Sequence, residues 1–243
     1  MKDACELIEL VIEEEGPFVG FIGFSQGASV GMSYLMNQEI KFPDSPLPFK
    51  WAVCFASTIA ISPDRTFLEK ELSEYDAEEG ALSILEPGNT GDAVPMPVKL
   101  PKNRMALLKP RNRRLFAQEM ASLIRLSINV AIDLGVEAGV DMAGIEEDLQ
   151  KGRKSSLDCP RLYHPLVLAE RIQIPTVHCI GLRDHPDIVK QAQVVRGLCA
   201  EEQCIWLEHS GGHDIPRDPH ELAAVVGATK RAIEQSQWLA PRL

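Results

Sequence analysis

Four short apolar runs separated by helix-compatible sequence constrain this chain more than any other feature. They are FVGFIGF (18–24), KWAVCFAS (50–57), IPTVHCIGL (174–182) and QCIWLEH (203–209). The first shows no alternation of apolar with polar residues, the pattern of a strand covered on both faces, as in parallel sheets. The second and third read as further buried strands, the third opened by Pro175, and the last as a fourth strand. Between and around them lie helical stretches. Residues 4–15 carry a stripe at Leu7, Ile8, Val11 and Ile12, ended by Gly16-Pro17. Residues 28–36, 186–200 and 219–236 are helical as well. Strands alternating with helices imply an α/β fold with a mostly parallel sheet.

The interval from about 61 to 170 breaks that rhythm. It opens with charged, helix-compatible sequence (66–80) and continues into LEPGNTGDAVPMPVKLPKN (85–103), an irregular loop or linker. The stretch 113–140 then suits one long helix or two short ones. Because the interval has no strand set of its own, it reads as an insertion on the sheet of a single domain spanning 1–243. A chain of 243 residues has ample material for one such core.

A net charge of −10 and a pI near 5.1 argue against a nucleic-acid surface, which needs clustered cations. Lys102, Arg104, Lys109, Arg111, Arg113 and Arg114 do gather, but in loop-like sequence where a solvated face is the plainer reading. No apolar run is long enough to cross a membrane. The N-terminus is acidic and amphipathic, unlike a secretory signal. The six cysteines form no CxxC pair and no zinc-like spacing with histidine, so no metal or other cofactor is expected. Cys54 and Cys179 sit inside apolar strands as small hydrophobes, and the set as a whole points to a reducing, cytoplasmic location.

The chemistry starts at Gly23-Phe24-Ser25-Gln26-Gly27, a G-x-S-x-G pattern between a strand over 18–23 and a helix over 28–36. That is the context of a nucleophile elbow, in which flanking glycines let a tight turn project the serine above the sheet. The elbow would expose Ser25 Oγ and put the Gln26 backbone N–H at a helix N-terminus, where it can stabilise an oxyanion. A serine hydroxyl needs a base. His178 lies mid-strand and reads as a core residue, and His164 and His220 lie beside prolines with no partner pattern. His209 and His213 frame HSGGH after the fourth strand, at the carboxyl edge where open α/β sheets gather their sites. His213 follows two glycines and suits the base, whereas His209 suits bracing the loop. Asp184, just after the third strand, is the favoured acid. Asp187 is its competitor, or a cap of the helix that follows, and His185 reads as a surface neighbour. The order Ser25, Asp184, His213 matches the nucleophile, acid, base order of α/β-hydrolases.

The segments GFSQGA (23–28), PTVHCIGLRD (175–184) and HSGGHDIP (209–216) together resemble the fungal-type serine hydrolase family. This family includes the ovarian-cancer-associated serine hydrolases and small thioesterases of fungal polyketide pathways. The resemblance implies an α/β-hydrolase fold, Ser25 as nucleophile, Asp184 as acid and His213 as base. It implies hydrolysis of a small-molecule carboxylic ester or acyl thioester. In fungal secondary metabolism that means trimming or releasing a polyketide product beside a polyketide synthase carrier domain. Family members start with a strand and an L-H-G-type loop that donates a second oxyanion N–H. Here the elbow arrives at residue 25, so the expectation is the C-terminal portion of the fold, truncated at its N-terminus, with the elbow strand at an open edge. Loss of that donor would cost about 10²–10³ in turnover, which makes a catalytically impaired binding or scaffold protein the alternative. The insertion would serve either as a lid or acyl-binding surface, or as cover for the open edge.

Overall fold

The computed structural model describes residues 1–64, 67, 162–165 and 168–238. The chain divides into two compact units, one formed by Met1–Pro63 with Leu162–Leu243, the other by Asp64–Arg161. Apart from Asp64 and Phe67, the second unit lies outside the described residues, and with it the elements expected at 66–80, 85–103 and 113–140 and the basic cluster at 102–114.

The first unit runs α1 (Lys2–Glu15), β1 (Gly20–Phe24), α2 (Gln26–Lys41), β2 (Trp51–Phe55), β3 (Thr176–Gly181), α3 (Pro186–Arg196), a 3₁₀ turn (Glu201–Gln203), β4 (Cys204–His209) and α4 (Pro219–Trp238). The four strands form one sheet in chain order, β1-β2-β3-β4, every neighbour parallel. Since side chains alternate between faces, the register sorts them. Val53, Phe55, Val177 and Cys179 pack with Val225, Ala228 and Ala232 of α4. Phe21, Cys54, His178 and Trp206 lie on the opposite face, where the Phe21 ring meets Gly31 of α2 and Arg196 of α3 lies over Trp206.

Burial separates the central strands from the outer ones. Nearly every residue of β2 and β3 is buried, as their apolar runs require. β1 departs from the two-sided cover that its run suggests, with Ile22 64% and Phe24 40% exposed. Among the described residues β1 pairs with β2 alone, which makes it an edge of the described sheet. α3 also ends earlier than the helical pattern to residue 200 suggests. Gly197 closes it by donating to the Gln193 carbonyl (3.1 Å), and the chain then pairs with Ile172 through Leu198 and Ala200 (2.9 Å each). Two backbone bonds to a neighbouring segment replace about one more turn of helix. Among the described residues no helix is long and apolar enough to cross a membrane.

Candidate active site

All four strands point their carboxyl ends the same way, so the segments that leave Phe24, Phe55, Gly181 and His209 share one edge of the sheet. Ser25 stands at the first of these exits. It is the N-cap of α2 with φ 50° and ψ −118°, a backbone conformation rare for a residue with a side chain. Such strain persists only where the surroundings over-determine it, and it clusters at functional sites. Here Ser25 N–H donates to the Phe55 carbonyl (2.8 Å) and Ser29 N–H donates to Ser25 O (3.1 Å), which fixes the turn at both ends. A β-carbon on Gly23 would lie 2.7 Å from the Ala28 nitrogen, so strand and helix meet there too closely for any side chain. Gly27 is different. A β-carbon there meets nothing within 4 Å, so the tightness of the turn needs the glycine before the serine and not the one after it.

The exit from β3 carries Asp184. The Asp184 side chain is 1% exposed, and its Oδ1 accepts the His185 N–H (2.7 Å). The exit from β4 carries HSGGH back over that loop. Leu182 N–H donates to His209 O (2.8 Å), Arg183 N–H to Gly211 O (2.9 Å) and Arg183 Nε to Ser210 O (2.6 Å). The glycines permit this approach, because the Gly211 and Gly212 carbonyls lie over Gly181 where a β-carbon would stand. The crossing sets His213 between the other two groups. Its Nδ1 lies 3.0 Å from Asp184 Oδ2 and 3.2 Å from Oδ1, and its Nε2 lies 3.0 Å from Ser25 Oγ.

A carboxylate can only accept hydrogen bonds. With Asp184 ionised, His213 Nδ1 therefore carries the proton, and Nε2 presents its lone pair to the serine hydroxyl. The Phe24 ring, tilted on the imidazole at a centroid distance of 5.0 Å, packs its side. The Gln26 N–H opens α2 directly after the serine.

The remaining histidines separate by what they touch. His209, 2% exposed, accepts the Gly211 N–H on Nδ1 (3.1 Å) and so braces the loop that ends at His213. His178 and His164 are buried. His220 lies in the first turn of α4, its N–H on Asp218 (2.9 Å). Asp187 lies in the first helical turn as expected, but the capping role suggested for it falls to His185. His185 is the N-cap of α3, its Nδ1 accepting the Asp187 N–H (3.3 Å), and Asp187 sits in the first turn, 3.8 Å from Lys190 Nζ. Arg183 holds the two loops together and Glu221 ties the second of them to α4, neither having drawn notice in the sequence. Glu221 accepts the Ser210 N–H (2.7 Å) across eleven residues, and no local pattern announces such a bond.

Residues 1–225 match the sequence profile of a family described as serine hydrolase (FSH1). The chain is 32% identical over 237 residues to the esterase alnB of Emericella nidulans, covering 98% of this chain and 74% of that protein. It is 27% identical over 227 residues to the hydrolase FUB4 of Fusarium oxysporum (91% and 69% covered). It is 23% identical over 235 residues to the serine hydrolase cnsH of Penicillium expansum (97% and 86% covered).

Proposed function

We propose, for a chain that belongs to the serine hydrolase (FSH1) family and has its α/β-hydrolase fold, that Ser25 is the nucleophile, His213 the base and Asp184 the orienting acid of an esterase or thioesterase. The observation that carries this reading is the unbroken run of contacts from Ser25 Oγ through the imidazole to the buried carboxylate, 3.0 Å at each step. In the forward step Ser25 Oγ attacks the acyl carbonyl carbon while its proton passes to His213 Nε2. The imidazolium so formed is stabilised by Asp184, and the oxyanion of the tetrahedral intermediate accepts the Gln26 N–H. Collapse breaks the bond to the alcohol or thiol, which leaves with the proton from Nε2. Water, activated by the same nitrogen, then attacks the acyl-enzyme and releases the acid.

The substrate class is a small-molecule carboxylic ester or acyl thioester, the bonds that this constellation cleaves without metal or cofactor. A relative named as an esterase supports the ester. The resemblance to polyketide-pathway thioesterases supports an acyl or polyketide product, trimmed free or released from a synthase carrier domain. The five cysteines among the described residues are free thiols, which suits the reducing cytoplasm.

A fluorophosphonate probe tests the site. Stoichiometric labelling of Ser25 that vanishes in Ser25→Ala supports the assignment. A folded protein that takes up no label overturns it, and favours a hydrolase-like binding protein. The exposed Ile22 and Phe24, flanking the elbow, are the observation on which that second reading would rest. Paired p-nitrophenyl esters and N-acetylcysteamine thioesters of matched acyl chains then rank the two bond types by kcat/KM.

A further inference from the structure

Phe24 ends an edge strand of the described sheet, and its surroundings set it apart from the other rings nearby. Residues 21 and 24 lie on opposite faces of β1. Phe21 has the packing of a core aromatic, its ring 5.5 Å from that of Phe49, which in turn lies 6.4 Å from Tyr34. Phe24 shares a face with Phe55, yet the cluster that Phe55 forms with α4 does not include it. It stays 40% exposed. Among the described residues the ring that it meets is the His213 imidazole, at a centroid distance of 5.0 Å and an interplanar angle of 51°. Packing into the core between sheet and helix therefore does not account for this aromatic.

We propose that Phe24 is a positioning residue for the base, its π-cloud stabilising the imidazolium that forms on His213 as Ser25 attacks; the inference rests on the triad reading above. Both ring nitrogens are already engaged, Nδ1 with Asp184 Oδ2 and Nε2 with Ser25 Oγ, 3.0 Å each. What remains of the imidazole is left to packing, and Phe24 supplies it. Because residue 24 directly precedes the serine, the turn that fixes Ser25 also fixes where this side chain starts. The imidazole is neutral before the attack and positive once the Oγ proton has passed to Nε2. An aromatic ring attracts a cation within about 6 Å of its centroid, and 5.0 Å lies inside that reach. A neutral imidazole gains little from the same ring, so the contact strengthens as the transition state forms, and interactions of that kind raise a rate.

Among the described residues the charged partner of the imidazole is Asp184. Arg183 Nε is turned to the Ser210 carbonyl (2.6 Å), and Asp214, next in the chain, pairs with Arg217. Removing the Phe24 ring then has two effects that point in different directions. The imidazolium becomes harder to form during the attack, so the rate falls. The resting imidazole also becomes harder to protonate, so the neutral base survives to lower pH. A residue that only supports the fold would lower the rate without extending activity towards acid.

The test is Phe24→Leu in the full chain, which removes the π-cloud and keeps most of the apolar bulk. With p-nitrophenyl esters, kcat is expected to fall about two- to five-fold while KM stays within about two-fold. The acid limb of the kcat/KM profile is expected to move to lower pH by about 0.4–0.7. Phe24→Tyr keeps the ring and should restore both. Phe24→Trp, with the stronger π-cloud, should move the acid limb to higher pH, and it carries the test if Phe24→Leu does not fold. The proposal is overturned by an acid limb that stays in place or moves to higher pH in Phe24→Leu. A Phe24→Tyr no better than Phe24→Leu, or a Phe24→Trp profile that does not move upward, overturns it as well. Fluorophosphonate labelling separates this outcome from failure of the triad reading. A parent protein that takes up no label overturns both, whereas a parent that labels while the profile of Phe24→Leu stays in place overturns the role of Phe24 alone.

Discussion

Gly181, the last residue of β3, lies directly beneath the Gly212 carbonyl, and a β-carbon at position 181 would run into that oxygen and into the Gly211 carbonyl. The loop that carries Asp184 and the loop that carries His213 are thereby pressed together at a point where neither has a side chain. The distance from His213 Nδ1 to Asp184 is set by this crossing as much as by the two residues themselves.

Gly181→Ala is therefore expected to lift the 209–213 loop. Overpacking of this kind costs about 1–3 kcal/mol, and displacing a reacting group by about 1 Å costs on the order of 10² in rate. Thermal unfolding should show a lowered midpoint, and the fluorophosphonate labelling rate should fall by about that factor. Labelling at the unsubstituted rate would mean that the crossing does not position the imidazole.

The two glycines of the elbow should behave oppositely. Gly23→Ala drives a methyl group into the backbone of Ala28, with an expected loss of about 1–3 kcal/mol. Gly27→Ala meets open space in the first turn of α2 and gains up to about 1 kcal/mol of helix propensity. Urea denaturation of the pair measures both. Equal losses would show that the turn needs both glycines.

How much of this was legible in the chain follows from the range of each signal. The four strands and the helices between them were written in local periodicity, and their observed bounds fall within a few residues of it. The serine announced itself because an elbow is local, with strand, bend and helix contained in 18–36. His213 and Asp184 could be picked out because parallel strands deliver their exits to one edge, and the structure does bring both to Ser25. What the sequence hid depends on contacts between distant segments. The spare role of Gly27, the passing of the cap from Asp187 to His185, and the bond from Glu221 to Ser210 all turn on which atoms meet.

The two aspartates near the end of β3 offer a direct comparison. Asp184→Asn would give Nδ1 of His213 a partner able to donate, favouring the wrong tautomer. A loss of about 10⁴ in kcat is the scale known for that change in a serine protease triad. Asp187→Asn touches Lys190 and the His185 cap. Ion pairs this long to half-exposed partners, 3.8 and 3.9 Å, are worth under ~1 kcal/mol, so hydrolysis should stay within about two-fold. Comparable losses in both variants would refute Asp184 as the specific partner of the base.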